Sequence, residues 1–135
     1  MGMISDNVKS LLQSDKISIL STSDKDGKNN VAMFGSLMAN ADTLQMMLGD
    51  NRTFANLGEN PNAALLVILP GKRGMQTEGC RLYLKVKTVE NGGALFEKMK
   101  AGIRARVGGA AEALKHLVTF EVIDERPIVD MGQGI

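Results

Sequence analysis

Three segments with strand character follow one another before residue 50, and nothing between them is long enough to be a helix. Ile17 to Thr22 is rich in β-branched residues, and Ser23 to Lys28 carries the Asp26-Gly27 pair of a tight turn. Val31 to Ala39 follows as a second strand, and Asn40 to Asp42 turns the chain into a third, Thr43 to Leu48. Parallel neighbours need a crossover of a dozen or more residues, so these strands are antiparallel and are expected to form a meander. A doubly wound α/β fold is thereby excluded. No GxGxxG or Walker-type glycine loop opens a helix, which also removes the dinucleotide and P-loop fingerprints.

The remaining elements fit the same plan. Ser5 is placed to cap a short helix with Val8, Leu11 and Leu12 on one face. After the third strand a short helix begins near Arg52, and Asn60-Pro61-Asn62 breaks it. Ala63 to Leu69 is a nearly continuous apolar run, read as a buried strand that Pro70 and Gly71 stop. Lys72 to Gly79 is a polar loop. Arg81 to Val89 alternates, with Leu82, Leu84 and Val86 on one face. Ala94 to Arg106 has the period of a helix through Leu95, Met99 and Ile103, Ala110 to Lys115 adds a helical turn, and Leu117 to Ile123 is a final strand. Ile128 to Met131 extends or pairs elsewhere, and Gly132 to Ile135 reads as a mobile tail. About six strands with short turns and a few small helices predict a mainly β, six-stranded antiparallel barrel, closed or half-open. With 135 residues the chain is one domain, 1–135, of which Met1 and Gly2 ahead of Met3 look like a vector-derived addition.

Composition narrows the chemistry more than it narrows the fold. A net charge of +1, four Phe, one Tyr and no Trp supply neither the basic groove nor the stacking platforms of a single-stranded nucleic-acid binder. One cysteine and one histidine leave no metal-ligand cluster and no internal disulfide. Cys80 reads as a small buried hydrophobe, and His116 as a surface histidine at a helix end. No apolar run approaches the roughly 20 residues of a membrane span, and no secretory signal is visible, so a reducing cytoplasm is the expected location. No Ser, His and Asp spacing supports nucleophilic catalysis, and no catalytic residue is identified.

The most pointed local feature is the corner Gly49-Asp50-Asn51-Arg52-Thr53, where a strand ends and a helix starts. It combines a glycine for close approach, a capping side chain, a cation, a hydroxyl and the free N–H groups of a first helical turn. Helix dipole and guanidinium favour the same ligand, an anion such as phosphate. The alternative is a capped surface helix with a solvated arginine. Met33, Met38, Met46 and Met47 cluster on the central strands, where they either fill an irregular core or meet a flat ligand with polarizable sulfur.

With these residues in place, the chain resembles the FMN-binding split barrels related to pyridoxamine 5′-phosphate oxidase, especially their small FMN-binding protein type. The likeness runs from Val8 to about Asp124 in element order. It is carried most specifically by Gly49, Arg52, Thr53, Ala55 and Asn56, with Asp26-Gly27 and the Gly71 to Gly79 loop in support. The resemblance implies a Greek-key split barrel that forms a homodimer with FMN at the interface. It further implies that Arg52 and Thr53 hold the phosphate while Met33, Phe34, Gly35, Ser36, Met47, Leu48 and Gly49 line the ring, with Lys72, Gln76 and Thr77 as looser candidates. Small members often carry an amide or hydroxyl where Ala32 and Met33 stand here, and the oxidase's arginine-bearing C-terminal substrate part is missing, so vitamin B6 chemistry is not expected. The function implied is redox, as an electron carrier or flavin-dependent oxidoreductase with its partner unspecified. The same barrel holding haem or a deazaflavin is the alternative.

Overall fold

In the computed structural model, which describes residues 4–132, the chain forms seven strands, three α-helices and two short 3-10 turns. Met1, Gly2 and the end of the tail, 133–135, lie outside the described residues. The elements are α1 (Asp6–Gln13), β1 (Ile17–Ser23), β2 (Asn29–Met33), β3 (Leu37–Asn40), β4 (Thr43–Leu48), α2 (Arg52–Glu59), β5 (Asn62–Ile68), β6 (Gly79–Glu90), α3 (Ala94–Val107) and β7 (His116–Pro127). The 3-10 turns are Gly74–Gln76 and Gly108–Ala113. Ser5 caps α1 by accepting from the Val8 N–H, and Asn51 caps α2 by accepting from Phe54. Among the described residues no helix is long and apolar enough to cross a membrane.

The seven strands make one antiparallel sheet in the order β2-β1-β5-β6-β7-β4-β3. This corrects the expectation of six strands and of an opening meander. The stretch Val31 to Ala39 is two strands, and β2 and β3 sit at opposite edges of the sheet, each in a hairpin with a different partner. The break has a chemical cause. The Phe34 N–H still donates to the Ser18 carbonyl at 3.0 Å, which holds the end of β2 to β1. Two residues later the Ser36 hydroxyl donates to the Met47 carbonyl and accepts from the Met47 N–H, both at 3.1 Å. A side chain thus satisfies both backbone groups that a further ladder residue would have paired, and the Phe34-Gly35-Ser36 link is released from the sheet. Four residue steps, from Met33 to Leu37, reach at most about 14 Å, so the two edges are drawn together and the sheet curls into a half-barrel.

Two apolar layers follow from this curl. The inside of the half-barrel is filled by Leu20, Leu44, Met46, Leu48, Leu65, Val67, Leu82, Leu84, Val118, Phe120 and Val122, with Val8 and Leu12 of α1 covering one opening. Outside, Met47 and Leu117 pack under Phe96, Met99 and Ile103 of α3 and Ala111 of the following 3-10 turn. That turn is tied back to α3 by Glu112, which pairs with Arg104 and Lys100. β4 is therefore buried at all six positions, which explains why its sequence reads as a continuous run. β6 and β7 are longer than their alternating cores suggest, and pairing persists to Cys80 opposite Pro127.

Gly49 marks the closest backbone approach near this double layer. A Cβ there would lie 2.7 Å from the Ala113 carbonyl oxygen, whereas one on Gly35 would meet nothing within 4 Å. Gly49→Ala is expected to lower stability by about 1–3 kcal/mol in urea unfolding, through overpacking, with Gly35→Ala unchanged or slightly stabilised. Equal midpoints for the two variants would mean that the 108–113 turn yields without cost.

Candidate functional site

The corner after β4 is built by local sequence. Leu48 and Gly49 end the strand, Asn51 caps α2, and the next two N–H groups, on Arg52 and Thr53, find no acceptor among the described residues. Arg52 is exposed and makes no ion pair among the described residues. Thr53 is only 2% exposed, and its hydroxyl accepts from Asn30 Nδ2 at 3.3 Å. Asn56 Nδ2 donates to the Thr22 hydroxyl at 3.1 Å and Asn60 Nδ2 to the Ser23 hydroxyl at 3.0 Å. A row of amide side chains thus fixes α2 across β1 and β2, with Arg52 exposed in its first turn and the Arg52 and Thr53 N–H groups unpaired among the described residues. The arrangement suits an oxyanion.

A groove opens where the Phe34–Ser36 link leaves the sheet. Met33, Phe34, Gly35, Ser36 and Met47 line one wall, and Ile103, Arg106, Val107, Ala110, Ala111 and Leu114 line the other, around a cavity of about 260 Å³. It continues past Gly35 and Ser36 into a second hollow of about 380 Å³ bounded by Lys16, Leu37, Met38, Lys98 and Gly102. Five of the residues that the resemblance assigns to ring contact therefore share one groove. Leu48 does not line it, being fully buried in the half-barrel core, and Gly49 abuts Ala113. Lys72, Gln76 and Thr77 lie on the β5–β6 loop and do not line the groove either. Lys72 pairs with Glu78 at 3.4 Å, and Thr77 borders a separate hollow beside Asn7 and Leu11 of α1.

The far wall of the groove was not anticipated from sequence. Its signal was present in the Leu95, Met99, Ile103 stripe, which one more helical turn carries to Arg106 and Val107. His116 also differs from its reading as a surface helix-end residue. It opens β7 with a side chain only 14% exposed, and its ring stacks on Phe54 with centroids 3.6 Å apart and planes within 3°. Cys80 is 5% exposed, and burial, with a smaller push from the Glu125 carboxylate, raises its thiol to about 11. A thiol so raised is protonated at neutral pH and is a poor nucleophile. Among the described residues no three His, Cys, Asp or Glu side chains gather to hold a metal.

Comparison with solved structures finds the same architecture repeatedly. An FMN-binding protein from Syntrophomonas wolfei subsp. wolfei superimposes with a TM-score of 0.78 at 25% identity, covering 90% of this chain and 84% of that one. An F420 reductase matches with a TM-score of 0.67 at 20% identity, over 90% of this chain and 98% of its own. HutZ, the haem storage protein from Vibrio cholerae, matches with a TM-score of 0.65 at 20% identity, over 93% of this chain and 91% of its own. No curated protein matches the sequence. The family profile described as pyridoxamine 5′-phosphate oxidase matches residues 4–128, nearly the whole chain, and the protein belongs to that family.

Proposed function

We propose that the protein is an FMN-binding flavoprotein with a redox role, acting as a homodimer. The observation that carries this reading is the groove at the Phe34–Ser36 link, where Met33, Phe34, Gly35, Ser36 and Met47 form an open apolar wall. The residues present fit the group. Gly35 leaves free space above the backbone, as a flat ring lying close to it requires, and the Arg52 corner offers a cation and two N–H groups without partners among the described residues. The similarity to an FMN-binding protein at 25% identity points the same way. A bound flavin supplies the electron chemistry itself, so the chain's own work is to bind, orient and set the electrostatics. Arg52 and the N–H groups of Arg52 and Thr53 would take the phosphate. Met33, Phe34 and Met47 would bed the ring, and Arg106 would place a positive charge on the groove's rim.

Haem is the less favoured occupant, although a haem storage protein shares the fold. Haem iron takes an axial side chain, most often His, and both ring nitrogens of His116 are already engaged, at 2.5 Å by Asp50 and 2.6 Å by Asn91. A deazaflavin would share the apolar wall, and the absorbance of the purified protein separates it from FMN.

Self-association is supported by the outer face of β2, β1 and β5. Val31 and Met33 are each 67% exposed and Ile17 is 40% exposed, and the register sets them beside half-buried Ile19, Leu66 and Ile68. Met33 belongs both to this face and to the groove, so a second copy seated here would complete the groove's open side.

Three measurements test the proposal. A charge-assisted hydrogen bond contributes about 1.5–3 kcal/mol, so Arg52→Ala is expected to weaken FMN about ten- to a hundredfold and leave riboflavin nearly unchanged. Equal losses would assign Arg52 to the fold alone. Light scattering is expected to report a dimer at micromolar concentration, and Val31→Asp to shift it towards monomer; a wild-type monomer with flavin bound would end the dimer reading. Arg106→Ala is expected to lower the flavin's reduction potential at low salt by about 30 mV, the equivalent of about 1.4 kcal/mol for two electrons. An unchanged potential would place the ring elsewhere.

A further inference from the structure

His116 is the chain's only histidine, and its ring is held on three sides by groups distant in sequence. Phe54, in the first turn of α2, stacks on its face, Asn91 Oδ1 lies 2.6 Å from Nδ1, and Asp50 Oδ1 lies 2.5 Å from Nε2. A carboxylate only accepts, so Nε2 carries a proton and donates to Asp50. On the other edge Asn91 presents its oxygen to a protonated Nδ1, or, with its amide turned over, an N–H to a bare one. The contact with Asp50 therefore holds for the neutral ring and for the charged one.

Asp50 is the residue this contact restrains, and its position gives the restraint a purpose. It immediately precedes the Asn51 cap and stands two residues from Arg52. A carboxylate at a helix N-terminus is attracted by the dipole, by open N–H groups and by any neighbouring guanidinium. Left free, Asp50 would settle on the same groups that would receive a phosphate, as a competitor tethered at high local concentration. Instead it is bonded to His116, and Arg52 has no carboxylate partner among the described residues. We propose that His116 is a positioning residue for the anion corner: it holds the Asp50 carboxylate aside and so keeps Arg52 and the first N–H groups of α2 open to a flavin's phosphate. The inference rests on the phosphate reading of Arg52, and its test separates the two.

FMN and riboflavin are titrated by fluorescence quenching into the flavin-free full chain. His116→Phe keeps a flat ring on Phe54 and removes both ring nitrogens, including the Nε2–H that donates to Asp50. It is expected to weaken FMN about tenfold and riboflavin less than about twofold, and His116→Phe with Asp50→Asn is expected to recover FMN binding, because the competitor is gone. Parallel loss of both flavins, or no recovery in the double variant, would reduce His116 to a structural role. Asp50→Asn alone, which leaves the histidine in place, is expected to bind FMN at least as tightly as the parent; a loss selective for FMN would overturn the proposal even if His116→Phe failed to fold. Arg52→Ala is the separating control. If it fails to discriminate FMN from riboflavin, the phosphate reading falls; if it discriminates while His116→Phe has no effect, only the positioning role falls.

Discussion

Three residues join strands that lie at opposite edges of a seven-stranded sheet, and most of the architecture follows from how short that link is. A sheet whose ends must approach within about 14 Å at one point cannot stay open. Curling encloses one face as the half-barrel core and leaves the other to be covered by α3 over β4 and β7. The price is a stretch of backbone that belongs to no ladder. Ser36 meets it by lending its hydroxyl to both polar groups of Met47. The link is thereby held in place without being part of the sheet, and a gap opens beside it for α3 and the 108–113 turn to border. The groove and the curl are thus one structural event.

Legibility in the sequence divided along the range of the interactions. Elements fixed by neighbours were readable: the Ser5 cap, the Asp26-Gly27 turn, the β4 to α2 corner and the stripe of α3 each express a local rule, and each lies where its residues suggest. The division of Val31 to Ala39 was not readable, because no residue in that run forbids a continuous strand. Gly35 is tolerated in a strand, and Ser36 acts through a partner eleven residues away. The same holds for the site. The helix start that carries Arg52 and Thr53 was legible as a local feature, whereas Arg106 and Val107 came to line the groove only when α3 folded back over β4. Leu48 shows the converse, since adjacency to Met47 does not bring it to the groove when successive strand residues face opposite ways.

The charge pattern around the corner also resolves on physical grounds. Asp50 and Arg52 are opposite charges two positions apart, and sequence alone would leave them free to neutralise each other. They do not pair: Asp50 is bonded to His116 Nε2 at 2.5 Å, and Arg52 makes no ion pair among the described residues. Phe54 favours that outcome from the other side. Stacking its ring on the imidazole fixes the plane of the donor, so the bond to Asp50 has one geometry rather than many. An apolar residue in the first turn of α2 thus packs on the imidazole that binds the carboxylate preceding the same turn.

What one protomer presents is a bed and not an enclosure. The groove at the link, about 260 Å³, runs past Gly35 and Ser36 into the hollow of about 380 Å³, so the space is an open trough along one edge and not a closed pocket. Its apolar wall is continuous with the exposed edge of β2, where Val31 and Met33 have no covering element among the described residues. Two deficits thus share one edge: an incompletely enclosed cavity and an uncovered apolar strand. In the proposed dimer a second copy covering the strand would also close the cavity, and ligand affinity and self-association would then strengthen each other by the same free energy. Residues on β2 would then bear on ligand affinity through that proposed interface as well as through contact, and Met33, which lies on both surfaces, is where the two effects could not be separated by a single substitution.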